Sequence, residues 1–283
     1  MRTRFAPSPT GLLHLGHAWS ATVAARLAEE ESGTFLLRIE DTDSTRCRPQ
    51  FEDAIYEDLT WLGLTWPEPV RRQSDHRDDL LSAVDPLAER GLIYPCSCTR
   101  RDVIDAGATL GVEGYVYPGT CRARPMSDRR PGDALRLDLR RALTGAPPLT
   151  FTETGPIHAG LHTVDPTALI EGQGDPVLIR KETGDPAYHL AVVHDDAVQQ
   201  ITDVVRGADL WFATPLHRLL QNLLGRPTPT YHHHALVLDQ AGKRLSKTDA
   251  SRAIRSYREA GYSADEVIGL ACAGTSAPSF TAV

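Results

Sequence analysis

The alternation of strand-like and helix-like segments in the first third of the chain most narrows what it can fold into. A short apolar strand pattern at residues 4–6 is followed by a helical pattern at 17–32 and a buried strand pattern at 35–39. Two more helical patterns follow at 51–62 and 77–90, and a glycine stands directly after each helix. This spacing predicts a parallel sheet with crossover helices, and therefore an α/β fold.

The alternation stops in the middle of the chain and resumes later. Between about residues 94 and 175, proline, glycine and arginine become frequent, and residues 135–139 alternate like a half-exposed strand. The later elements that we expect are strands at 177–180, 201–205 and 235–238, a helix at 188–193, and a helix with Thr214 as N-cap and Pro215 at its first position.

These patterns predict a Rossmann-like, doubly wound parallel sheet with an inserted subdomain of mixed, mostly extended structure and a short C-terminal helical segment. Residues 1–93 and 176–240 would form the two halves of the main domain, 94–175 the insertion, and 241–283 a basic loop with the helical segment. At 283 residues the chain is long enough to bury a sizeable core.

Composition excludes several classes of protein. The net charge of −7 and the isoelectric point near 5.9 argue against a surface that coats nucleic acid throughout, although basic residues cluster at 122–141 and 243–258. No apolar run approaches the ~18 residues that span a bilayer, and the first residues form no apolar signal segment. We therefore expect a soluble, cytoplasmic protein with no membrane partner.

Residues 7–17 form the first segment whose residue types indicate a binding or catalytic function. A proline- and glycine-rich turn leads to His14, Gly16 and His17 at the expected start of a helix. A helix N-terminus offers unpaired N–H groups and a positive dipole, and imidazole can donate to phosphate. The segment lacks the lysine of a P-loop and the spacing of a dinucleotide fingerprint. It predicts an anion site; the alternative is a capped helix start with two incidental histidines.

A second segment, far along the chain, is cationic. Gly242 and Lys243 precede a run from Arg244 to Thr248 that contains Lys247. A glycine loop with clustered cations suits an anion whose charge develops in a transition state. Alone the pattern is weak, because surface loops often have this composition. Together with the histidine segment, it predicts a site for one triphosphate.

These segments resemble the signature elements of the class I aminoacyl-tRNA synthetases. Residues 14–17, His-Leu-Gly-His, are similar to the HIGH element of that family, and residues 244–248, Arg-Leu-Ser-Lys-Thr, to its KMSKS element. Residues 4–11, 38–43 and 204–210 resemble the glutamate-specific group within the class. The resemblance covers nearly the whole chain, and its motifs stand in the same order.

Chain length favours one branch of this family. Glutamyl-tRNA synthetases continue with an anticodon-binding region after the lysine element, whereas this sequence ends at Val283, soon after Thr248. It is thereby similar to the glutamyl-queuosine tRNA(Asp) synthetases. This resemblance implies ATP-dependent, tRNA-independent activation of L-glutamate and its transfer to the queuosine at the wobble position of tRNA(Asp). The alternatives are a truncated enzyme that charges a tRNA 3′ end, and an inactive paralogue that binds nucleotide or tRNA.

The resemblance also implies which residues bind glutamate. Glu40 would bind the α-ammonium, and Arg4 and Arg206 are both candidates for the side-chain carboxylate, whose geometry a guanidinium matches. Taken singly, Arg4 could be a surface arginine, Glu40 part of a solvated loop, and Tyr188 a core tyrosine. The implied glutamate-binding residues are Arg4, Phe5, Ala6, Pro7, Ser8, Glu40, Tyr188 and Arg206.

The implied ATP-binding residues are His14, Gly16, His17 and Lys247, with Mg²⁺ bound to the ATP. His14, His17 and Lys247 are the expected catalytic residues, and Lys247 would stabilise the pentavalent α-phosphate and the departing pyrophosphate. No covalent nucleophile is needed, because catalysis is positioning and charge stabilisation. Arg244 stands where the family usually has a lysine, which puts the role of that position in doubt.

Three cysteines in the expected insertion predict a metal site. Cys96, Cys98 and Cys121 are close in sequence, and thiolates suit one tetrahedral structural zinc ion. The resemblance adds a Cys-x-Cys followed by Tyr-x-x-x-Cys, which makes Tyr117 the fourth ligand and Tyr115 its competitor. The alternative is a set of reduced, unliganded cysteines.

Three consecutive histidines at 232–234 do not predict a second metal site. Neighbouring residues of a strand point to opposite faces, so three in a row do not converge easily on one ion. We expect them to begin the strand that leads to the lysine loop, with one imidazole near the adenine of ATP.

Overall fold

A computed structural model describes residues 1–238 and 253–275. The lysine loop, including Arg244 and Lys247, lies outside the described residues. The helices are α1 (Leu15–Glu30), α2 (Pro49–Trp61), α3 (Arg77–Ser82), α4 (Asp85–Glu89), α5 (Arg100–Asp105), α6 (Leu139–Leu143), α7 (Pro166–Gln173), α8 (Tyr188–Val198), α9 (Thr214–Leu223), α10 (Ile254–Glu259) and α11 (Ala264–Ala273). The strands are β1 (Arg2–Phe5), β2 (Thr34–Ile39), β3 (Arg71–Arg72), β4 (Ile93–Cys96), β5 (Leu110–Gly111), β6 (Gly114–Tyr115), β7 (Ala134–Leu137), β8 (Thr150–Glu153), β9 (Gly160–Thr163), β10 (Val177–Ile179), β11 (Asp203–Gly207) and β12 (Thr230–His234).

Parallel strands from distant parts of the chain lie side by side at the centre of the fold. β1, β2 and β3 pair in parallel in that order, and α1 and α2 connect them. β11, β12 and β8 also pair in parallel, and β9 is antiparallel to β8. β1 lies beside β11, where the Thr202 N–H donates to the Arg2 carbonyl at 3.0 Å. The predicted α/β fold with parallel strands is confirmed.

The middle of the chain is more helical than the sequence predicts. β4, β7 and β10 form an antiparallel sheet, so segment 94–175 is hydrogen-bonded to the residues that follow it. Three short helices, α5, α6 and α7, lie in this segment among the strands β4 to β9, so its structure is mixed, as expected, but less extended than predicted. Thr99 and Asp138 cap α5 and α6 by accepting from backbone N–H groups of the first turn, a local signal that the proline and glycine content obscured.

Two helical predictions fail for local reasons, one in its middle and one at its ends. The pattern at 77–90 predicts one helix, but a break separates α3 from α4. Pro86 has no N–H to donate to the carbonyl of Ser82, so it stands in the first turn of a new helix instead of continuing the old one. α1 begins earlier than predicted because His14 caps it, and it ends before Ser32, which has a φ of 49°.

The last strand and the helix before it also differ from the prediction. The sequence predicts a strand at 235–238, but β12 lies just before it, and within 235–238 Val237 forms an isolated bridge with Thr275. Thr214 is the first residue of α9 and not its N-cap. Its hydroxyl accepts from Arg206, so a tertiary hydrogen bond replaces the expected local one.

Two apolar cores support the central strands. One packs α1 and α2 against β1 and β2 and includes Val205, and the other surrounds α8 and α9 and includes Val192. Both of these valines line the cleft described below, which therefore lies where the two cores meet. Across residues 1–238 and 253–275, no helix has the length and apolar character that crossing a membrane requires.

Candidate active site

An open cleft of about 690 Å³ lies at the carboxyl ends of β1, β2 and β11, beside the start of α1. The predicted site residues that line it are Arg4, Phe5, Ala6, Pro7, Ser8, His14, Gly16, His17, Glu40, Tyr188 and Arg206. Lining residues that the sequence analysis did not single out for this site are Ser20, Val192, Val205, Gly207, Asp209, Leu210, Leu236 and Val237. Every predicted glutamate- or ATP-binding residue within the described ranges thus lines one cleft.

The histidine segment begins α1, and its two imidazoles bind backbone N–H groups. The Nδ1 of His14 accepts from the Gly16 N–H at 3.1 Å, and the Nδ1 of His17 accepts from the His14 N–H at 3.1 Å. These bonds place the proton of each neutral ring on Nε2. The expectation of unpaired N–H groups at this helix start is therefore wrong for His14 and Gly16, since the two rings occupy them.

Gly16 is required by the position of the His14 ring. A Cβ on Gly16 would lie 3.0 Å from the ring carbon Cε1 of His14. The centroids of the His14 and His17 rings are only 3.9 Å apart, which leaves little room for the His14 ring to shift. The glycine in this segment therefore allows both imidazoles to pack at the mouth of the helix.

The described residues on both sides of the lysine loop lie at this cleft. Val237 lines it before the loop. After the loop, Ala253 forms an isolated bridge with His14, and the Ile254 N–H donates to the Leu13 carbonyl at 2.9 Å. The chain thus leaves the cleft wall at Val237 and returns to the histidine segment at Ala253.

Four charged side chains form a closed network beside the cleft. The carboxylate of Asp196 accepts from Arg4 Nε at 3.0 Å and from Arg38 Nη1 at 2.7 Å. The carboxylate of Glu40 accepts from Arg38 Nη2 at 3.0 Å. All four side chains are buried, and two guanidinium groups compensate two carboxylates inside the protein.

Burial and charge pairing set the ionisation of this network. Burial alone would raise the pKa of Asp196, but Arg4 and Arg38 hold it below its usual range. Burial raises the pKa of Glu40, and Arg38 only partly opposes this rise. Asp196 is thus a fixed anion, whereas the ionised form of Glu40 would gain from a substrate ammonium beside it.

Arg206, on β11, is held by neutral partners. Its Nε donates to His233 Nε2 at 3.0 Å, its Nη1 to His217 Nδ1 at 3.1 Å, and its Nη2 to Thr214 Oγ1 at 2.8 Å. His233 Nδ1 lies 2.5 Å from the carboxylate of Glu153. Burial lowers the pKa of His217 well below its usual value and that of His233 to about 4. Both rings are therefore neutral near pH 7.

The residues that hold these arginines have no role in the site predicted from the sequence. Arg38 stands inside the apolar strand β2, and Asp196 inside the largely apolar helix α8. A charge within such a run signals a buried partner, and this signal could have found both residues. His217 on α9 and Glu153 at the end of β8 carry no comparable signal in the sequence.

The three consecutive histidines end β12 and have separate partners. His232 Nδ1 lies 3.1 Å from the Thr154 hydroxyl, while His233 binds Arg206. His234 lines the cleft. A place for one of these rings near the adenine of ATP stays a prediction.

The three cysteines of the middle segment lie together. The Sγ atoms of Cys96, Cys98 and Cys121 are within 4.8 Å of one another. The Tyr117 hydroxyl lies 3.3 Å from the Sγ of Cys96 and 3.4 Å from that of Cys98, and it accepts from the Cys121 N–H at 2.9 Å. Tyr117 is buried, whereas Tyr115 is exposed on β6. This cluster could hold one metal ion.

Comparison with known proteins places the chain in a family. A sequence profile of the class I tRNA synthetases (E and Q), catalytic domain, matches residues 1–107 and 165–278. The chain belongs to this family. It is 50% identical over 278 residues to the glutamyl-Q tRNA(Asp) synthetase of Rhodobacter capsulatus, a match that covers 94% of this chain and 98% of that protein.

Longer proteins match over part of their length. The chain is 36% identical to the glutamate–tRNA ligase of Aquifex aeolicus, over 96% of this chain and 56% of that protein. Its fold is similar to the crystal structure of glutamate-tRNA synthetase from Elizabethkingia anophelis, with a TM-score of 0.69 and 27% identity over 93% of this chain and 54% of that one. The chain therefore spans about half the length of these two relatives.

Proposed function

We propose that this protein activates L-glutamate with ATP, without tRNA, and transfers the glutamate to the queuosine at the wobble position of tRNA(Asp). The observation that carries the proposal is a single cleft lined by both the histidine segment and the glutamate-binding set. The 50% identity to a protein named glutamyl-Q tRNA(Asp) synthetase supports the choice of acceptor.

The fold is consistent with different roles for different segments of the chain. We infer a Rossmann-like, doubly wound catalytic domain formed by residues 1–93 and 176–240, with 94–175 as an inserted subdomain that contacts the acceptor. Residues 241–283 would supply the lysine loop and the C-terminal helices. The parallel pairing of β1 with β2 and of β11 with β12, with the cleft at their carboxyl ends, supports this arrangement.

In the proposed reaction, the α-carboxylate of glutamate attacks the α-phosphorus of ATP, and pyrophosphate leaves. Glu40 binds the α-ammonium, and Arg206 binds the side-chain carboxylate, because its neutral partners leave its charge uncompensated. Arg4, which Asp196 already compensates, lines the cleft between them and orients the substrate. Once the ammonium and the side-chain carboxylate are bound, the α-carboxylate is the group left to attack, so binding selects the nucleophile.

The phosphates of ATP would lie at the start of α1. His14 and His17 carry their protons on Nε2 and would donate them to phosphate oxygens, while Gly16 leaves room for both rings at the start of the helix. Lys247 would stabilise the negative charge that develops on the α-phosphate and the departing pyrophosphate. Mg²⁺ bound to ATP would supply further compensation of the phosphate charge.

We also propose one structural zinc ion, held by Cys96, Cys98, Cys121 and Tyr117. Three thiols whose Sγ atoms lie within 4.8 Å of one another, with the Tyr117 hydroxyl 3.3 Å from Cys96 and 3.4 Å from Cys98, fit a tetrahedral zinc site. The ion would favour the thiolate forms and fasten β4 to the segment that contains Tyr117 and Cys121.

ATP–pyrophosphate exchange tests the first half-reaction. We expect exchange with L-glutamate in the absence of any tRNA, little with L-glutamine, and a large loss in His17→Ala and Lys247→Ala. Complete absence of exchange by the intact protein would contradict the proposal. It would favour a charging enzyme that needs its tRNA, or an inactive paralogue.

A transfer assay tests the acceptor. Labelled glutamate is offered with tRNA(Asp) that contains queuosine, with the same tRNA that contains guanosine instead, and with tRNA(Glu). We expect label on the queuosine-containing tRNA(Asp) alone. Label at the 3′ end of tRNA(Glu) would instead favour the charging reaction, which the 36% identity to a glutamate–tRNA ligase keeps as the alternative.

A further inference from the structure

The hydrogen bonds around Arg206 have a fixed direction. Because a guanidinium can only donate, His217 Nδ1 and His233 Nε2 must both accept. The proton of His233 then lies on Nδ1, toward Glu153, and that of His217 on Nε2, toward His189 Nδ1 at 3.0 Å. The arginine thus selects one neutral tautomer in each ring.

Arg4 and Arg206 differ in whether a carboxylate of the protein compensates their positive charge. Both line the cleft and both are buried. Arg4 lies in direct contact with the Asp196 carboxylate. Among the residues that the structure describes, no carboxylate contacts Arg206, and the nearest one in its chain of hydrogen bonds, Glu153, is separated from it by a ring. Arg206 is therefore oriented without being neutralised.

His217 contacts two residues that line the cleft: its ring accepts from Arg206, and it lies beside the ring of Tyr188, with 5.7 Å between the centroids. Its side chain is buried and does not line the cleft, and its ring accepts from the guanidinium at 3.1 Å. A carboxylate in this place would orient the guanidinium equally well but would compete with a substrate carboxylate for its charge. A neutral acceptor gives orientation and leaves the charge available.

We propose that His217 is a specificity-determining positioning residue: as a neutral acceptor, it fixes Arg206 while leaving its charge for the side-chain carboxylate of glutamate. This inference rests on the proposed function, in which Arg206 binds that carboxylate. His233 has the same function on the other side of the guanidinium. Together they favour glutamate over its neutral amide, since the amide cannot compensate the buried cation.

An isosteric pair of variants separates orientation from charge. His217→Asn keeps a neutral oxygen near the position of Nδ1, and His217→Asp puts a carboxylate there. In ATP–pyrophosphate exchange we expect a KM for glutamate within about threefold of the wild type for His217→Asn, and a rise of about thirtyfold or more for His217→Asp, the value of a strong charge-assisted bond. The preference for glutamate over glutamine should fall in His217→Asp alone.

The KM for ATP should stay unchanged in both variants, which shows that the cleft still folds. Equal KM values for glutamate in the Asn and Asp variants would overturn the inference. If His217→Asp does not fold, Thr214→Asn and Thr214→Asp, at the third acceptor of the guanidinium, give a second matched pair with the same expected order. Absence of exchange in the wild type would instead reject the proposed function, so the two failures are distinguishable.

Discussion

The charge network beside the cleft and the cysteine cluster both gather polar side chains from separate parts of the chain, but they are held together differently. In the network, Asp196 lies 3.0 Å from Arg4 and 2.7 Å from Arg38, so each charge meets its opposite. In the cluster, the Sγ atoms of Cys98 and Cys121 are 3.6 Å apart, a weak contact between like groups. The network balances its positive and negative charges with its own side chains. The cluster consists of thiols and a phenol, which could bind a cation.

This difference separates two ways of preparing a site. The desolvation of the four charges is offset within the protein, so the part of the cleft that we propose binds glutamate is formed before a substrate arrives. Thiols are weak hydrogen-bonding groups, and their order depends on what binds them. The network should therefore respond to loss of a charge, and the cluster to loss of a metal.

The largest effect is expected from Asp196→Asn, which keeps the shape of the side chain but leaves Arg4 and Arg38 without their shared anion. Breaking a buried pair costs about 3–5 kcal/mol of the free energy of unfolding. Urea unfolding measures this loss. Glu57→Gln is the control, because Glu57 pairs with Arg255 at the surface and should cost less than about 1 kcal/mol. Similar small losses of stability in both variants would mean that Asp196 does not stabilise the buried charges of Arg4 and Arg38.

Removal of the proposed zinc ion should have the next largest effect. If the free zinc concentration is about 100 times the Kd, removing the ion with a chelator lowers the free energy of unfolding by about 3 kcal/mol. Metal analysis and unfolding with and without a chelator test this. Cys98→Ser should lose both the zinc and the response to chelator, while Cys47→Ser, outside the cluster, keeps them. Equal stability with and without chelator would contradict the proposal that the cysteine cluster, unlike the charge network, depends on a bound metal.

Acidification should lower the free energy of unfolding, because the buried histidines that bind Arg206 must take up protons. This loss should occur even with chelator present, because it does not depend on zinc. Burial lowers the pKa of His233 to about 4, whereas the unfolded chain takes up its proton near pH 6.5. Stability is therefore lost as the pH falls from about 6.5 toward 4, with about 2 kcal/mol gone at pH 5. Urea unfolding at pH 7.5 and pH 5 measures this loss. His233→Gln should show a flatter dependence; an unchanged slope would contradict the assignment.

The smallest effect is expected at Tyr117, the proposed fourth ligand. Tyr117→Phe removes the hydroxyl beside Cys96 and Cys98 and should weaken zinc binding about tenfold, or about 1.4 kcal/mol. Competition with a chromogenic chelator measures the affinity. Tyr115→Phe is the matched control, and it should leave the affinity unchanged. A larger effect in the control would exchange the roles of the two tyrosines.

The sequence predicts the fold better than the contacts that hold the site. Periodicity shows which segments bury apolar faces, and family resemblance supplied most of the cleft. Asp196 was not assigned, because its partners Arg4 and Arg38 lie 192 and 158 residues away along the chain and spacing does not reveal them. His217 was not assigned, because nothing in the pattern of α9 indicates that its ring binds Arg206. Thr214 fails in a different way: its local pattern indicates an N-cap, but Arg206 takes its hydroxyl. Pro86 did carry a local signal, which the longer apolar pattern outweighed.

The place of Asp196 in the chain has a consequence for synthesis. A ribosome makes Arg4, Arg38 and Glu40 early, and their missing anion only after about two thirds of the protein has been translated. Until then, two guanidinium groups would have to be buried opposite one carboxylate, which is costly. We therefore expect the first strands to become stable only after α8 has been synthesised, so that this side of the cleft is completed late in translation, when α8 docks.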